Sequence, residues 1–467
     1  MEKFLPDHQK RRWQKAYKTA ATIMILAWPT ILEQVMQTAV QYIDTAMVGA
    51  LGTQATAAVG ATGTVGWLIT GTLSALSVGF LSMISRACGE NNRGKIRKIV
   101  GQAVLVVLVA GIFTTVLCTA FGRRIPIWMQ VDPSISEIAG IYFLILYLPM
   151  LPRTASVIFG TILRAAGDTK TPMKVGILVN GMNVVLNFLL IYETRTVSFA
   201  GLSFTVPGAG MGVIGAAAAS AISFAWGGIH ITWALWRHPV VTPKGTRLKP
   251  DLSILRPWAR ISFPNVLQRF GTSLGYVVFA SMINALGEVA TAAHTIANTV
   301  ESAFYIPGYG MQTAAATLIG NAYGAKEEKR MKELAAMFIP IEIVLMILSG
   351  TALFAAAPML VGLFSQSMEI ITLGSTVLRM VAVSEPFYGI SIIVEGMMMG
   401  VGKTKAPFVY NIIGMWCIRI VGTFLCTRMF SMGLVSAWAC MIAHNMFLFV
   451  LYLAVYLRGT WNPLKTV

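Results

Sequence analysis

Four side chains near the start of this sequence have the types and spacing to bind and release an ion. Gln34, Gln37, Gln41 and Asp44 are separated by 3, 4 and 3 residues, which stacks them on one face of a helix, and Thr30 extends the stripe. Asn180, Asn183 and Asn187 repeat the pattern at spacings of 3 and 4. Amides donate to a carboxylate through nitrogen and coordinate a cation through oxygen. An aspartate facing such amides without a fixed basic partner can gain and lose a proton, and loss of the proton can be matched by an entering cation. The competing reading is a structural hydrogen-bond network between helices.

The second half carries its own stripes. His294, Asn298, Glu301 and Tyr305 are spaced 4, 3 and 4, and Ser384, Tyr388, Ser391 and Glu395 follow with Glu385 beside them. Tyr276 stands where the register of the first half places Gln41. These residues read either as a surface for a cationic guest or as carboxylates neutralised by Arg269, Arg379 and Arg419 to fix packing. With Gln34, Gln41 and Asn180, the residues Tyr276, His294, Asn298, Glu301, Tyr305, Tyr388 and Glu395 make the expected substrate cavity.

Such stripes need elements that hold them in an apolar medium. The chain is 56% hydrophobic and 12% charged with a mean hydropathy of +0.69, about half the charge of a soluble domain. Apolar stretches long enough to cross a bilayer recur from end to end. Twelve are expected, at 20–46, 54–85, 97–121, 134–160, 172–193, 211–236, 255–284, 289–322, 333–361, 371–399, 406–428 and 433–457. Continuous apolar runs without period-2 alternation mean helices rather than a barrel. The first span is too long for the apolar core of a signal peptide and reads as retained.

The net charge of +17 is distributed as a membrane protein's would be. Of 36 Lys and Arg, only Arg123, Arg124, Arg195 and Arg428 fall in loops after odd-numbered spans, and Arg153, Arg269, Arg379 and Arg419 lie in or at the edge of spans. The rest fall at the termini, in the loops after even-numbered spans or at the span ends that adjoin those loops. That is the positive-inside pattern, with both termini expected in the cytoplasm of a multi-pass protein of the plasma (cell inner) membrane. The charge meets anionic lipid, and no nucleic-acid partner is expected.

The sequence also repeats itself. Ala50–Ala58 (ALGTQATAA) and Ala285–Ala293 (ALGEVATAA) share seven of nine residues at an offset of 235. The same offset places Pro29 on Pro264, Gly89 on Gly324, and Gly167, Thr169, Lys170 and Pro172 on Gly402, Thr404, Lys405 and Pro407. A duplicated six-span unit keeps its orientation, so the pseudo-twofold axis runs along the membrane normal, and a binding site is expected where like halves meet. The expected organisation is an N-lobe at 1–236, a basic, proline-containing cytoplasmic linker at 237–260 and a C-lobe at 261–467. Asp44 has no acidic twin, since the offset places Phe279 there, which marks a duty peculiar to one half.

Several chemistries fall away. The piece GVGKT at 400–404 lacks the P-loop glycine five residues before Gly402, where Met397 stands, and no strand precedes it. HExxH does not occur, the GxSxG match at 271–275 (GTSLG) falls inside an apolar span with no strand before it, and no enzyme is expected. Cys88, Cys118, Cys417, Cys426 and Cys440 show no metal or disulfide spacing, so free thiols and no metal site are expected.

Particular segments resemble the multidrug and toxic compound extrusion (MATE) family. They are PTILEQVMQTAVQYIDTAMVGALG in the first span and its exit, AAHTIAN in the eighth, the turn RAAGDTKTP, and NVVLNFLLIY in the fifth. The resemblance covers nearly the whole chain. It implies an all-α polytopic membrane protein of twelve transmembrane helices in two pseudo-symmetric six-helix bundles, arranged in a V. It implies alternating-access export of organic, cationic compounds against protons or sodium, with no cofactor and a monomer as the working unit. In the branch resembling DinF-like members, Asp44 would carry the coupling ion, with Gln37, Asn183, Asn187 and Ser220 beside it. Asn187 stands where close relatives carry Asp, which removes a charge and favours protons over sodium. A flippase for lipid-linked precursors, from the same superfamily, is the alternative.

Overall fold

Helix boundaries in the computed structural model, which describes residues 7–129, 131–199, 202–246 and 248–465, repeat at the offset seen in the sequence. Helix α1 (Asp7–Gly49) ends where α9 (Leu252–Asn284) ends, 235 residues later. Helices α2 (Thr53–Gly89) and α10 (Glu288–Gly324) match at both ends. So do the starts of α3 (Arg93–Phe121) and α11 (Glu328–Gly362). The backbone repeats too. Gly52 and Gly287 have φ of 111° and 104°, Gly167 and Gly402 have 90° and 79°, and the non-glycine pair Asn91 and Lys326 has 52° and 59°. Each is a left-handed position that lets a helix stop and the chain reverse.

The first half continues through α4 (Ile125–Trp128), α5 (Pro133–Tyr147), α6 (Met150–Ala165), α7 (Lys170–Leu190) and α8 (Gly212–Arg237). The second half continues through α12 (Met368–Gly400), α13 (Lys405–Ile413), α14 (Val421–Phe424) and α15 (Leu434–Arg458). Helix α12 runs unbroken over the register that α5 and α6 fill, although it contains Pro386. Among the described residues, ten helices are long and apolar enough to cross a membrane, and α5 with α6 makes an eleventh with a bend of 50°. The remaining long helix, α10, carries the His294–Glu301 stripe. The fold is the expected all-α membrane type.

Three features correct the sequence reading. The fourth span was expected to be continuous over 134–160, but Leu148–Pro149 separates α5 from α6, because Pro149 can neither donate nor fit the preceding helical turn. The connection at 193–210, expected as a loop, is a hairpin of β1 (Glu193–Phe199) and β2 (Leu202–Ala209), antiparallel with a register irregularity at Glu193/Arg195. The eleventh span is not a plain α-helix either. It has π-helical turns at Gly414–Ile420 and Leu425–Met429 on either side of α14.

The chain packs as two units. One comprises Met1–Ile31, Leu81–Asn92 and Trp258–Val467, and the other Leu32–Phe80 and Arg93–Pro257. They do not coincide with the sequence halves, for a reason visible at the end of α2. A Cβ at Gly89 would lie 1.9 Å from the Asn321 carbonyl oxygen, and one at Gly324 would lie 2.0 Å from that of Arg86. Arg86 and Asn321 are themselves twins, so the α2–α10 crossing is symmetric. The core of this unit joins Ile23 and Ala27 of α1 to residues of α10, α11, α12 and α15.

In the other unit, a buried cluster of Leu73, Cys118, Ile125, Phe143, Tyr147 and Met150 holds α2 to α6. Glu33 on α1 accepts from Arg164 Nη2 on α6 at 2.6 and 2.8 Å. The segment expected as a linker is pinned by Gln102 on α3, whose Nε2 donates to the Lys249 carbonyl at 2.8 Å and whose Oε1 accepts from the Asp251 amide at 3.0 Å.

Candidate functional site

The carboxylate of Asp44 meets the amide ladder of α7. Asn187 Nδ2 donates to Asp44 Oδ1. The Asn183 amide is assigned in the orientation that gives both its ends a complementary partner: its Nδ2 donates to Asp44 Oδ1 at 2.7 Å and its Oδ1 accepts from the Ser220 hydroxyl on α8 at 3.0 Å. Asn183, Asn187 and Ser220 are buried, and Asp44 is half-buried. Helical spacing dictates this arrangement: Asn183 and Asn187 lie one turn apart and point the same way from α7. Beyond them, Val48, Ile191 and Ala216 form a small apolar cluster flanked by Tyr142 and Tyr192, and Tyr192 donates to the Met47 carbonyl at 3.0 Å.

Among the described residues, no cation forms an ion pair with Asp44. The buried Oδ1 of Asn187 has no hydrogen-bond donor. A carboxylate held by two amides, with an unused carbonyl oxygen beside it, can take up a proton or a small cation without first breaking a salt bridge. The remaining stripe residues do not join this network. Gln37 and Gln41 are exposed, Gln34 and Asn180 are half-buried, and none makes a side-chain hydrogen bond among the described residues.

The candidates of the second half fall in the other unit, most of them in four groups. His294 Nδ1 accepts from Trp438 Nε1 at 3.2 Å. Tyr276 and Phe279 flank the Arg419 guanidinium, whose centre is 5.0 Å from each ring centroid. The Tyr388 and Tyr309 hydroxyls are 3.3 Å apart, and Tyr305 packs edge-on against Tyr309. Glu395 is held by amides, accepting from Gln268 Nε2 at 2.8 Å and more weakly from Asn411 Nδ2 at 3.4 Å. Asn298 is exposed, and Glu301 is buried. Neutralisation by arginines is one of the two readings of these acids. Among the described residues, no ion pair joins Glu301, Glu385 or Glu395 to Arg269, Arg379 or Arg419. Arg419 instead spends its charge on aromatic faces, which attract a cation without a counter-ion.

Sequence reasoning missed Glu33 with its partner Arg164, and Glu342. Glu33 sits next to the polar stripe and was obscured by it. Glu342 is a lone acid in an apolar helix, and an isolated acid in a predicted span is itself the signal.

The MatE family model matches residues 29–189 and again 264–425, two copies whose starts lie the same 235 residues apart. The chain belongs to the MATE family. It is therefore a membrane transporter and not an enzyme. It is 27% identical over 94% of its length, and 92% of the relative's, to "Probable multidrug resistance protein NorM" of Thermotoga maritima. It is 23% identical to human "Multidrug and toxin extrusion protein 1", over 94% of this MATE chain and 75% of that protein. Among solved structures, it superposes at a TM-score of 0.87 and 22% identity on one described as an "Outward-facing conformation of a multidrug resistance MATE family transporter of the MOP superfamily", covering 96% of this chain and 97% of that one. A Pyrococcus furiosus transporter of the same superfamily, described as having a binding pocket of reverse polarity, matches at 0.88 and 22% identity. At that identity the two structures share the fold with this chain.

Proposed function

We propose that this transporter exports small organic, cationic compounds in exchange for protons, with Asp44 as the group that carries the coupling ion. The observation that carries the reading is the Asp44–Asn187–Asn183–Ser220 network, an acid held by amides with no basic partner. Relatives named for multidrug resistance and extrusion support the substrate class. A single carboxylate in the network supports the proton, since one proton neutralises it completely, while Asn187 offers a dehydrated sodium ion a neutral ligand only.

The coupling has a stated size. Ionised Asp44 accepts charge-assisted hydrogen bonds from two amides, each contributing about 1.5–3 kcal/mol. Protonation reduces each to a neutral hydrogen bond of about 0.5–1.5 kcal/mol, a change of about 2–3 kcal/mol over the pair. Moving a two-state protein from 1:99 to 99:1 takes about 5.5 kcal/mol, so this event biases access and differential substrate binding must supply the rest. Helix α1 can respond because Pro29 lacks the amide that would bond to the Ile25 carbonyl. Proton and substrate must favour different states, because equal affinity for both shifts nothing.

The test is transport in proteoliposomes with an imposed pH or sodium gradient, scanned over cationic dyes. Dye movement driven by ΔpH and indifferent to ΔNa supports the reading. Sodium-driven movement overturns the choice of ion. Headgroup-dependent flipping of an anionic lipid-linked substrate, without dye transport, overturns the substrate class.

A further inference from the structure

Two thiols meet where the eleventh span ends and the twelfth begins. Cys426 Sγ and Cys440 Sγ lie 3.8 Å apart. Cys426 stands in the π-helical turn Leu425–Met429, and Cys440 in the second turn of α15. Both are partly exposed. A reversal of the chain lies between them, so their spacing in the sequence does not announce a pair.

The backbone on each side of that reversal is held. The Met432 amide donates to the Cys426 carbonyl at 2.9 Å, around Ser431, whose φ of 51° is left-handed. The Ser436 hydroxyl donates to the Gly433 carbonyl at 2.7 Å and secures the start of α15. Gly422, one turn before Cys426, supplies the room. A Cβ there would lie 3.1 Å from Cys440 Sγ and 3.5 Å from Cys440 Cβ. The Cys440 sulfur thus rests over bare backbone on one side and against Cys426 on the other. A disulfide brings its sulfurs to about 2.05 Å. From 3.8 Å each sulfur must advance by about 0.9 Å, which a χ1 rotation of about 30° supplies at the edge of a rotamer well.

The compartment decides whether such a pair oxidises. Arg428, two residues beyond Cys426, is exposed. It is one of the few basic residues that the charge pattern assigns to the outer side, so the turn between the last two spans is expected to open there. Disulfides form and persist on that side, whereas the cytoplasm keeps thiols reduced.

We propose that Cys426 and Cys440 form a disulfide that staples the outer end of the eleventh span to the twelfth. The oxidant is the disulfide of a small thiol or of a dithiol oxidoreductase. One cysteine thiolate attacks an oxidant sulfur and expels the other as a thiol, leaving a mixed disulfide. The second cysteine thiolate attacks the first cysteine's sulfur and expels the remaining oxidant thiol. One S–S bond breaks and one forms. Two electrons pass to the oxidant, and the two cysteine protons pass to its two departing sulfurs. The bridge holds the π-helical turn around Cys426 against α15, whichever ion Asp44 carries.

The experiment takes the full-length protein from intact cells, blocks free thiols with N-ethylmaleimide in denaturant at lysis, and digests the purified chain with trypsin without reduction. Cleavage after Lys405, Arg419, Arg428 and Arg458 puts Cys417 in the peptide 406–419, Cys426 in 420–428 and Cys440 in 429–458. The expected product is 420–428 joined to 429–458, lighter than the two together by two hydrogens and separated by a phosphine reductant. Cys417 should carry maleimide. Peptides 420–428 and 429–458 recovered apart, each with maleimide, would overturn the proposal, and so would a bridge from 406–419 to either. The wild-type digest carries this result without any variant. Reduction should also lower the unfolding temperature of the wild type by a few degrees and leave that of Cys440→Ser where it was. A wild-type unfolding temperature indifferent to reduction would overturn the staple.

Discussion

The α2–α10 crossing gives a prediction with a magnitude. Replacing Gly89 by alanine places a methyl carbon 1.9 Å from the Asn321 carbonyl oxygen, against 3.4 Å for an ordinary contact, so the helices must part by about 1.5 Å. Gly324→Ala makes nearly the same demand from the other side, at 2.0 Å from Arg86. The obstacle in each case is backbone, which cannot swing aside as a side chain can. Overpacking of this kind costs about 1–3 kcal/mol. If the crossing closes in only one access state, that cost appears as a population shift of about 5- to about 150-fold away from it. The twin geometry requires the single variants to act alike. The double variant should cost less than their sum, because helices already parted by one methyl have room for the second. The assay is a pulsed-EPR distance distribution between nitroxides at Asn92→Cys and Glu327→Cys on a cysteine-less background, in lipid, for each variant. Equal lengthening in Gly89→Ala and Gly324→Ala is expected. A shift in one and none in the other would refute the symmetric crossing, and no shift in either would refute the contact itself.

Other outcomes can be checked more briefly. Asn187→Ala removes one of the two amide donors to Asp44 and should lower pH-driven efflux about 10- to 100-fold at equal expression, from about 1.5–3 kcal/mol of lost hydrogen bonding; unchanged efflux would leave Asn187 without a role. Glu33→Gln removes the carboxylate charge that the half-buried Arg164 guanidinium donates to and should lower the Tm, while the double variant Glu33→Gln, Arg164→Gln should recover part of the loss, which is read by thermal unfolding in detergent. Asp251 begins α9, and the Ser253 hydroxyl and amide bonded to it hold its carboxyl below the usual carboxylate range. The folded state thus favours the ionised form. The stabilisation is present above the unfolded value of about 4 and is lost as the pH falls through the lower folded one, so the protection of the Ser253 amide relative to its intrinsic exchange rate should fall on acidification, less so in Asp251→Asn.

The repeat, the helical class and the Asn183–Asn187 alignment were legible in the sequence because each rests on a period, whereas the place of Asp44 beside those amides was implied by the family resemblance. Helical spacing aligns Asn183 with Asn187, and a constant offset aligns Gly52 with Gly287 and Gly167 with Gly402. What escaped has no period along the chain. Glu342 lies against Gly308 and Gly389, which stand on different helices and come together only by packing. The hairpin at 193–209 carries glycine and proline that read as loop, yet its alternating residues could have been recognised as strands. The missing arginine pairs show a further limit: composition brings Arg419 and Glu301 into one region, while the aromatic faces of Tyr276 and Phe279 decide where the guanidinium rests.

The central claim is that Asp44 carries the coupling ion, and the most direct measurement is efflux of a cationic dye by Asp44→Asn at wild-type expression across a series of imposed pH gradients. Wild-type efflux should rise with ΔpH while the variant, which keeps the side-chain shape but cannot ionise, stays flat at every gradient. A variant whose efflux still climbs with ΔpH would contradict the claim and move the coupling to another acid of the chain.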